Sequence, residues 1–183
     1  MSAARKYSGD YELQDGKGRK TVAVYRGDYW RCVLADEEYH TALRKMLALL
    51  AGISLLYIAM GVLPTGAIGS SGAAAPYVLL PFIALLLPIG MSWGKTVLLS
   101  RARRELERRE YDQWVVRLHG YSTAMLACAA GTGAGGLLYT FLHWGAEHAV
   151  QDALFTLAAC IICGLCIWFV HIQDRYRWEK LDK

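Results

Sequence analysis

Residues 160–166 read CIICGLC, so three thiols, Cys160, Cys163 and Cys166, recur at a spacing of three. Thiolates can ligate a soft metal, but a tetrahedral site draws one pair of ligands from a turn and a second pair from elsewhere. Here all three lie within Ala153–Gln173, a run of 21 residues with no Asp, Glu, Lys or Arg. On a helix they drift around one side, and only Cys128, in another uncharged run, could add a fourth thiol. The favoured reading is small packing residues at a helix interface. Cys32 lies near the N-terminus, and no Cys falls in 64–76 or 143–152. No disulfide framework is expected there.

Two further stretches carry possible chemistry. HWGAEHAVQD (143–152) offers His143, Glu147, His148 and Asp152, which could share one side of a helix and hold a metal. The order does not fit the HExxH zinc-protease pattern, and Trp144 beside His143 suits a polar interfacial loop. GTGAGG (131–136) matches the letters of a dinucleotide fingerprint. That motif needs a preceding strand and a βαβ unit, whereas this copy sits in an uncharged apolar run. Gly131 and Gly135 form GxxxG, and Ala127 extends the small-residue row by a turn. The expected role is close helix packing, within the chain or between copies.

The elements that must position these residues follow from charge. Hydrophobic residues make up 55% of the 183 and charged ones 20%, yet Met46–Gly94 (49 residues) and Leu118–Ala146 (29 residues) carry no Asp, Glu, Lys or Arg. A bilayer core needs roughly 20 apolar helical residues, and these runs lack a polar stripe at helical spacing. PTGAIGSSGAAAP (64–76) breaks the longest run with Gly, Ser and Pro. Four spans result, near Arg44–Leu63, Tyr77–Leu98, Gly120–Leu142 and Ala153–Ile172. Pro81 and Pro88, seven apart in the second, predict kinks or a hinge.

All 20 Lys and Arg fall before or at the start of the first span, at the end of the second or between it and the third, or in the tail; 64–76 and 143–152 have none. The bias predicts a multi-pass protein of the plasma membrane, a bacterial inner membrane by its style, with both termini cytoplasmic. No cleavable signal peptide is expected near Met1.

Within 1–43, YELQ (11–14) and KTVAVY (20–25) flank the hairpin loop DGKGR, and GDYWRCVL (27–34) could add a third strand. Arg26-Gly27-Asp28 matches an adhesion tripeptide but reads as a turn. Asp36 is a plausible N-cap for the first span helix, with Glu37 and Glu38 in its first turn. The charged segment 99–118 reads as a helical hairpin extending spans two and three, with Glu105 and Arg109 four apart. Arg101, Arg103, Arg104, Arg108 and Arg109 are the candidate contacts to lipid headgroups or to a cytoplasmic partner. Glu105, Glu107, Glu110 and Asp112 dilute that charge, so no nucleic-acid binding is expected. Trp93, Trp168, Tyr176 and Trp178 read as membrane-belt residues.

The expected fold is an all-α membrane protein, a four-transmembrane-helix bundle (44–172) with a short N-terminal cytoplasmic β element and a tail at 173–183. No span centre carries Asp, Glu, Lys or Arg, which weighs against a coupled transporter or proton pump. Ser54, Ser92, Ser122, Thr123, Thr132 and Thr156 have no base placed beside them by spacing, which weighs against an intramembrane hydrolase. The expected role is non-enzymatic and cofactor-free: a subunit, scaffold or regulator in the lipid bilayer, self-associated or within a larger membrane complex. The alternatives are a pore or transporter built from a homo-oligomer and an outer-face metal enzyme on His143, Glu147 and His148.

Overall fold

The computed structural model describes residues 10–15, 21–69 and 74–181. Four long helices dominate: α1 Asp36–Val62, α2 Pro76–Arg101, α3 Arg108–Leu142 and α4 Ala149–Asp174. Each is long and apolar enough to cross a membrane; 26 residues of helix span about 39 Å. They contain the four runs expected from sequence, except Leu63, which follows the end of α1. Asp36 is not the N-cap of α1. Ala35 holds that position without a side-chain cap, because Asp36 is engaged by Arg104 at 2.8 Å.

The helices form a ring in sequence order, with α4 returning to α1. α3 packs most extensively, on α2 and on α4, and α1 is the more lightly held member. Leu50, Ile53, Met60, Leu85, Met125, Phe155, Ile162 and Phe169 fill the centre. Phe82 lies between Tyr57 and Phe155, at ring-centroid distances of 4.7 and 5.5 Å.

Close packing on both sides of α3 depends on glycine. A Cβ on Gly131 would lie 3.3 Å from the Pro81 ring, and one on Gly135 only 2.8 Å from the Tyr77 carbonyl oxygen. Pro81 has no N–H to donate to Tyr77 four residues earlier, so that carbonyl is left for the α3 backbone to approach. α2 runs unbroken through both Pro81 and Pro88. On the other side of α3, a Cβ on Gly136 would lie 2.6 Å from Thr156 Oγ1 of α4. Gly131 and Gly135 therefore serve a contact within the chain. Ala127 is exposed and takes no part in that contact within the chain.

Among the described residues five short strands complete the fold: β1 Tyr11–Asp15, β2 Thr21–Tyr25, β3 Tyr29–Cys32, β4 Glu105–Glu107 and β5 Trp178–Leu181. β1 and β2 form an antiparallel hairpin in which Tyr11 faces Tyr25; residues 16–19 of its expected loop lie outside the described residues. β3 does not join them. It is the centre of a separate antiparallel sheet in the order β4-β3-β5, because both its edges find partners from distant segments.

The expected helical hairpin at 99–118 is likewise corrected. α2 stops at Arg101, Glu105–Glu107 is a strand, and helix resumes at Arg108 through a π-helical turn, Asp112–Val116. Glu105 and Arg109 are therefore not one helical turn apart. Glu107 instead caps the new helix through a reciprocal capping box with Glu110.

At the opposite end of the bundle, the segment after α1 folds back over the core. Thr65, Gly66 and Ala67 are buried, and Ala75 N–H donates to Ala67 O at 3.0 Å. The Ala67 N–H donates to Asp152 Oδ1 at 3.3 Å.

Candidate functional site: the sheet-capped basic end

The three segments that carry every basic residue meet at one end of the bundle, and the sheet knits them together. Trp30 pairs with Leu106 on one side and Lys180 on the other, Arg31 with Glu105 and Glu179, and Cys32 with Trp178. Side chains alternate along a strand and cross-strand partners share a face. One face therefore carries Trp30, Cys32, Leu106, Trp178 and, at its edge, Lys180, and the other carries Tyr29, Arg31, Glu105, Glu107, Glu179 and Leu181. Cys32 and Leu106 are fully buried, whereas Arg31, Glu105 and Glu179 are exposed. The register puts the apolar face against the helices and the charged face outward.

Aromatic rings fill the space between sheet and bundle. Trp30 stacks on Tyr111 at 4.3 Å and an interplanar angle of 6°, and Tyr111 meets Trp178 edge-on at 5.8 Å. Tyr39 meets Tyr176 edge-on at 5.6 Å. Tyr39 O–H donates to Leu99 O at 3.3 Å and Tyr176 O–H donates to Tyr39 O at 3.2 Å. These bonds tie α1, the end of α2 and the tail to one another. Tyr176 and Trp178 are thus parts of this junction and not belt residues, and no sequence period marks them, because their neighbours come from segments about 70 and 140 residues away.

Burial pushes the Tyr176 phenol and the Cys32 thiol above their ordinary values. Tyr11 is raised as well, chiefly because its O–H donates to the Glu107 carboxylate at 2.9 Å. None of these groups is poised as a base or nucleophile near neutral pH.

The five candidate arginines separate into different roles. Arg104 is internal: it pairs with Asp36, donates to Leu34 O and lies over the Tyr39 ring at 5.9 Å. Arg108 approaches Asp10 at 3.9 Å. Arg101, Arg103 and Arg109 are exposed and form no ion pair among the described residues. Lys180–Asp28 at 3.0 Å and Arg26–Glu12 at 2.6 Å lie around the same end.

Beneath the sheet lies a cavity of about 350 Å³ whose lining includes Leu99, Tyr111, Leu118, His119, Gln173 and Trp178. Gln173 Nε2 donates to Ser122 Oγ at 2.6 Å, and Ser122 Oγ donates to Leu118 O at 2.7 Å. His119 and Asp174 stand 3.9 Å apart. Hydroxyl, amide and imidazole groups thus gather at this junction.

The other candidate chemistries do not assemble. His143 and Glu147 are exposed, His148 is half-buried and Asp152 is turned into the core. His143 stacks on Tyr139 at 4.2 Å. Among the described residues no three His, Cys, Asp or Glu side chains gather as a metal site. The helical spacing assumed for His143, Glu147 and His148 is not present, since the residues after α3 turn at Gly145 (φ +92°) and do not continue as helix. The thiols diverge too: Cys166 is buried, Cys163 half-buried and Cys160 exposed. Ser54 accepts from Trp93 Nε1 at 3.0 Å and donates to Leu50 O at 2.7 Å, so its hydroxyl joins helices.

The chain matches no protein-family model, no curated protein and no solved structure, so its function rests on this geometry.

Proposed function

We propose that the chain is a multi-pass membrane protein that acts without catalysis, as a subunit, scaffold or regulator whose docking face is the sheet-capped basic end. The membrane part is supported by an inverted surface. Leu55 and Leu87 are 69% exposed and Phe141 80%, whereas Ser92, Thr96, Ser122, Thr132 and Thr156 are buried. In water so broad an apolar exterior would aggregate; in a bilayer it is solvated. The basic bias then sets the sheet, both termini and the α2–α3 connection on the cytoplasmic side, and a bacterial inner membrane fits that arrangement.

The single observation that carries the docking reading is the sheet. Three separated segments form one platform with Trp30 and Trp178 turned inward and Arg31, Glu105 and Glu179 turned outward. Arg101, Arg103 and Arg109 stand exposed around it. Such a patch suits an acidic protein surface, where complementary charge speeds association and selects the partner. The pore reading draws less support, because Gly131 and Gly135, its contact between copies, are occupied by α2 of the same chain.

Native mass spectrometry of protein extracted gently from its own membrane tests this. A second polypeptide should accompany the wild type and be lost from the Arg101→Glu, Arg103→Glu, Arg109→Glu variant, with thermal stability changed by less than about 0.5 kcal/mol. A homo-oligomer carrying only small molecules would favour the pore reading instead.

A further inference from the structure

A groove of about 520 Å³ runs between α1 and α4 near the basic end. Its α1 wall includes Glu37, Glu38, Thr41 and Lys45, and its α4 wall includes Trp168, His171 and Arg175. Spacings of three and four place each set on one helix face. The helices run antiparallel, with Gly52 against Leu165, so Lys45 stands near the level of Ile172, and Glu37 and Glu38 lie beyond Arg175. From the apolar middle of the bundle outward, the groove therefore presents an exposed indole (Trp168), then cations (Lys45 and Arg175), then carboxylates (Glu37 and Glu38). Glu38 to Thr41 rises about 4.5 Å and Thr41 to Lys45 about 6 Å, so each zone is about one helical turn deep.

These charges are not consumed by one another. Among the described residues no ion pair joins Glu37, Glu38 or Lys45 to any partner. Arg175 Nη2 donates to His171 Nε2 at 3.2 Å, which orients the guanidinium without neutralising it. A ligand that satisfies the groove has an apolar part, then a phosphate, then a hydrogen-bonding ammonium, in that order.

We propose that this groove binds a phospholipid with a primary-amine headgroup, of the phosphatidylethanolamine type. Lys45 and Arg175 hold its phosphate, Glu37 and Glu38 accept hydrogen bonds from its ammonium, and its acyl chains lie beside Trp168. A choline headgroup has no N–H to give the carboxylates. An anionic glycerol headgroup would leave them facing uncompensated negative charge. The inference rests on the membrane reading above, and the experiment separates the two.

Protein in detergent is exposed to equimolar phosphatidylethanolamine, phosphatidylcholine and phosphatidylglycerol of identical chains, and retained lipid is read by native mass spectrometry. Phosphatidylethanolamine should be kept with roughly tenfold preference, the size expected of one or two charge-assisted hydrogen bonds. Glu37→Gln with Glu38→Gln should abolish the preference over phosphatidylcholine while lipid is still retained. Lys45→Gln with Arg175→Gln should lose all three lipids. Glu37→Lys with Glu38→Lys should turn selectivity toward phosphatidylglycerol, a gain that misfolding cannot mimic. Equal retention of the three lipids by wild type, or preference unchanged in the Gln variants, would overturn the assignment. Binding of free phosphoethanolamine as tight as that of the lipid would overturn it in favour of a soluble ligand. Failure of the protein to partition into membranes would overturn the membrane reading itself.

Discussion

At the basic end, three strands drawn from three distant segments close the bundle over stacked aromatic rings; at the opposite end, one loop folds back onto the carboxylate of Asp152. The first closure is broad, apolar within and charged without. The second consists of small residues, hydroxyls and single hydrogen bonds, among them Thr140 Oγ1 and Thr156 Oγ1 at 3.2 Å. The difference teaches where the chain has surface to offer. The sheet draws its strands from three distant segments, and among the described residues that end displays arginines without an ion pair.

The comparison can be broken first at Trp30. Trp30→Ala removes the ring stacked on Tyr111 and should cost the cap about 3–5 kcal/mol. Limited proteolysis with mass spectrometry should then cut the tail and the segment around Arg103 while 143–148 keeps its wild-type pattern. Continued protection of the tail would show that the sheet does not hold it.

Gly135→Val should come next. Its Cβ would meet the Tyr77 backbone carbonyl at 2.8 Å, so α2 and α3 must separate at a cost of about 1–3 kcal/mol. Gly94→Ala, where a Cβ meets nothing within 4 Å, is the control and should not lower the thermal midpoint in detergent. Equal midpoints for both variants would contradict the packing described.

Asp152→Ala strands the Ala67 N–H inside the protein and should cost about 1–2 kcal/mol. Asp152→Asn keeps an acceptor and should recover most of it, with hydrogen exchange at Ala67 as the readout. The basic end should be indifferent to either change.

The smallest effect is alkaline. The Tyr11 and Tyr176 phenols lie above their ordinary value of 10.0 in the folded chain. The stability they contribute is complete below about 10, and it is lost as pH rises from 10 through the folded values. Tryptophan fluorescence of the cap should therefore shift above pH 10, and less so in Tyr176→Phe. A shift beginning below pH 9 would rule out these phenols as its source.

Much of this architecture was legible in the sequence, and the reason is physical. Uncharged runs such as Met46–Gly94 announce helices long enough to span a bilayer, and the breaker cluster at 64–76 divides that run. Helical length and charge are local properties. Strand pairing is not. Tyr29–Cys32 reads as a strand, but nothing local says that it leaves β2 for Glu105–Glu107 and Trp178–Leu181. The dense charge of 101–117 hid Leu106, whose complete burial is what makes that segment turn inward. Gly131 and Gly135 announced close packing but not the partner, which is fixed by the carbonyl that Pro81 leaves open. Gly136 escaped notice because its neighbour, Thr156, is 20 residues away on another helix.

Disulfide cross-linking across the sheet tests the central claim most directly. Arg31 faces Glu179 on one side and Glu105 on the other, so cysteines at 31 and 179, or at 31 and 105, should bridge within one chain on mild oxidation. The assay is made in native membranes, with the five natural cysteines replaced. Efficient intramolecular bridging of both pairs is the predicted result. Bridging of neither pair, or only between separate chains, would contradict a basic end closed by one sheet.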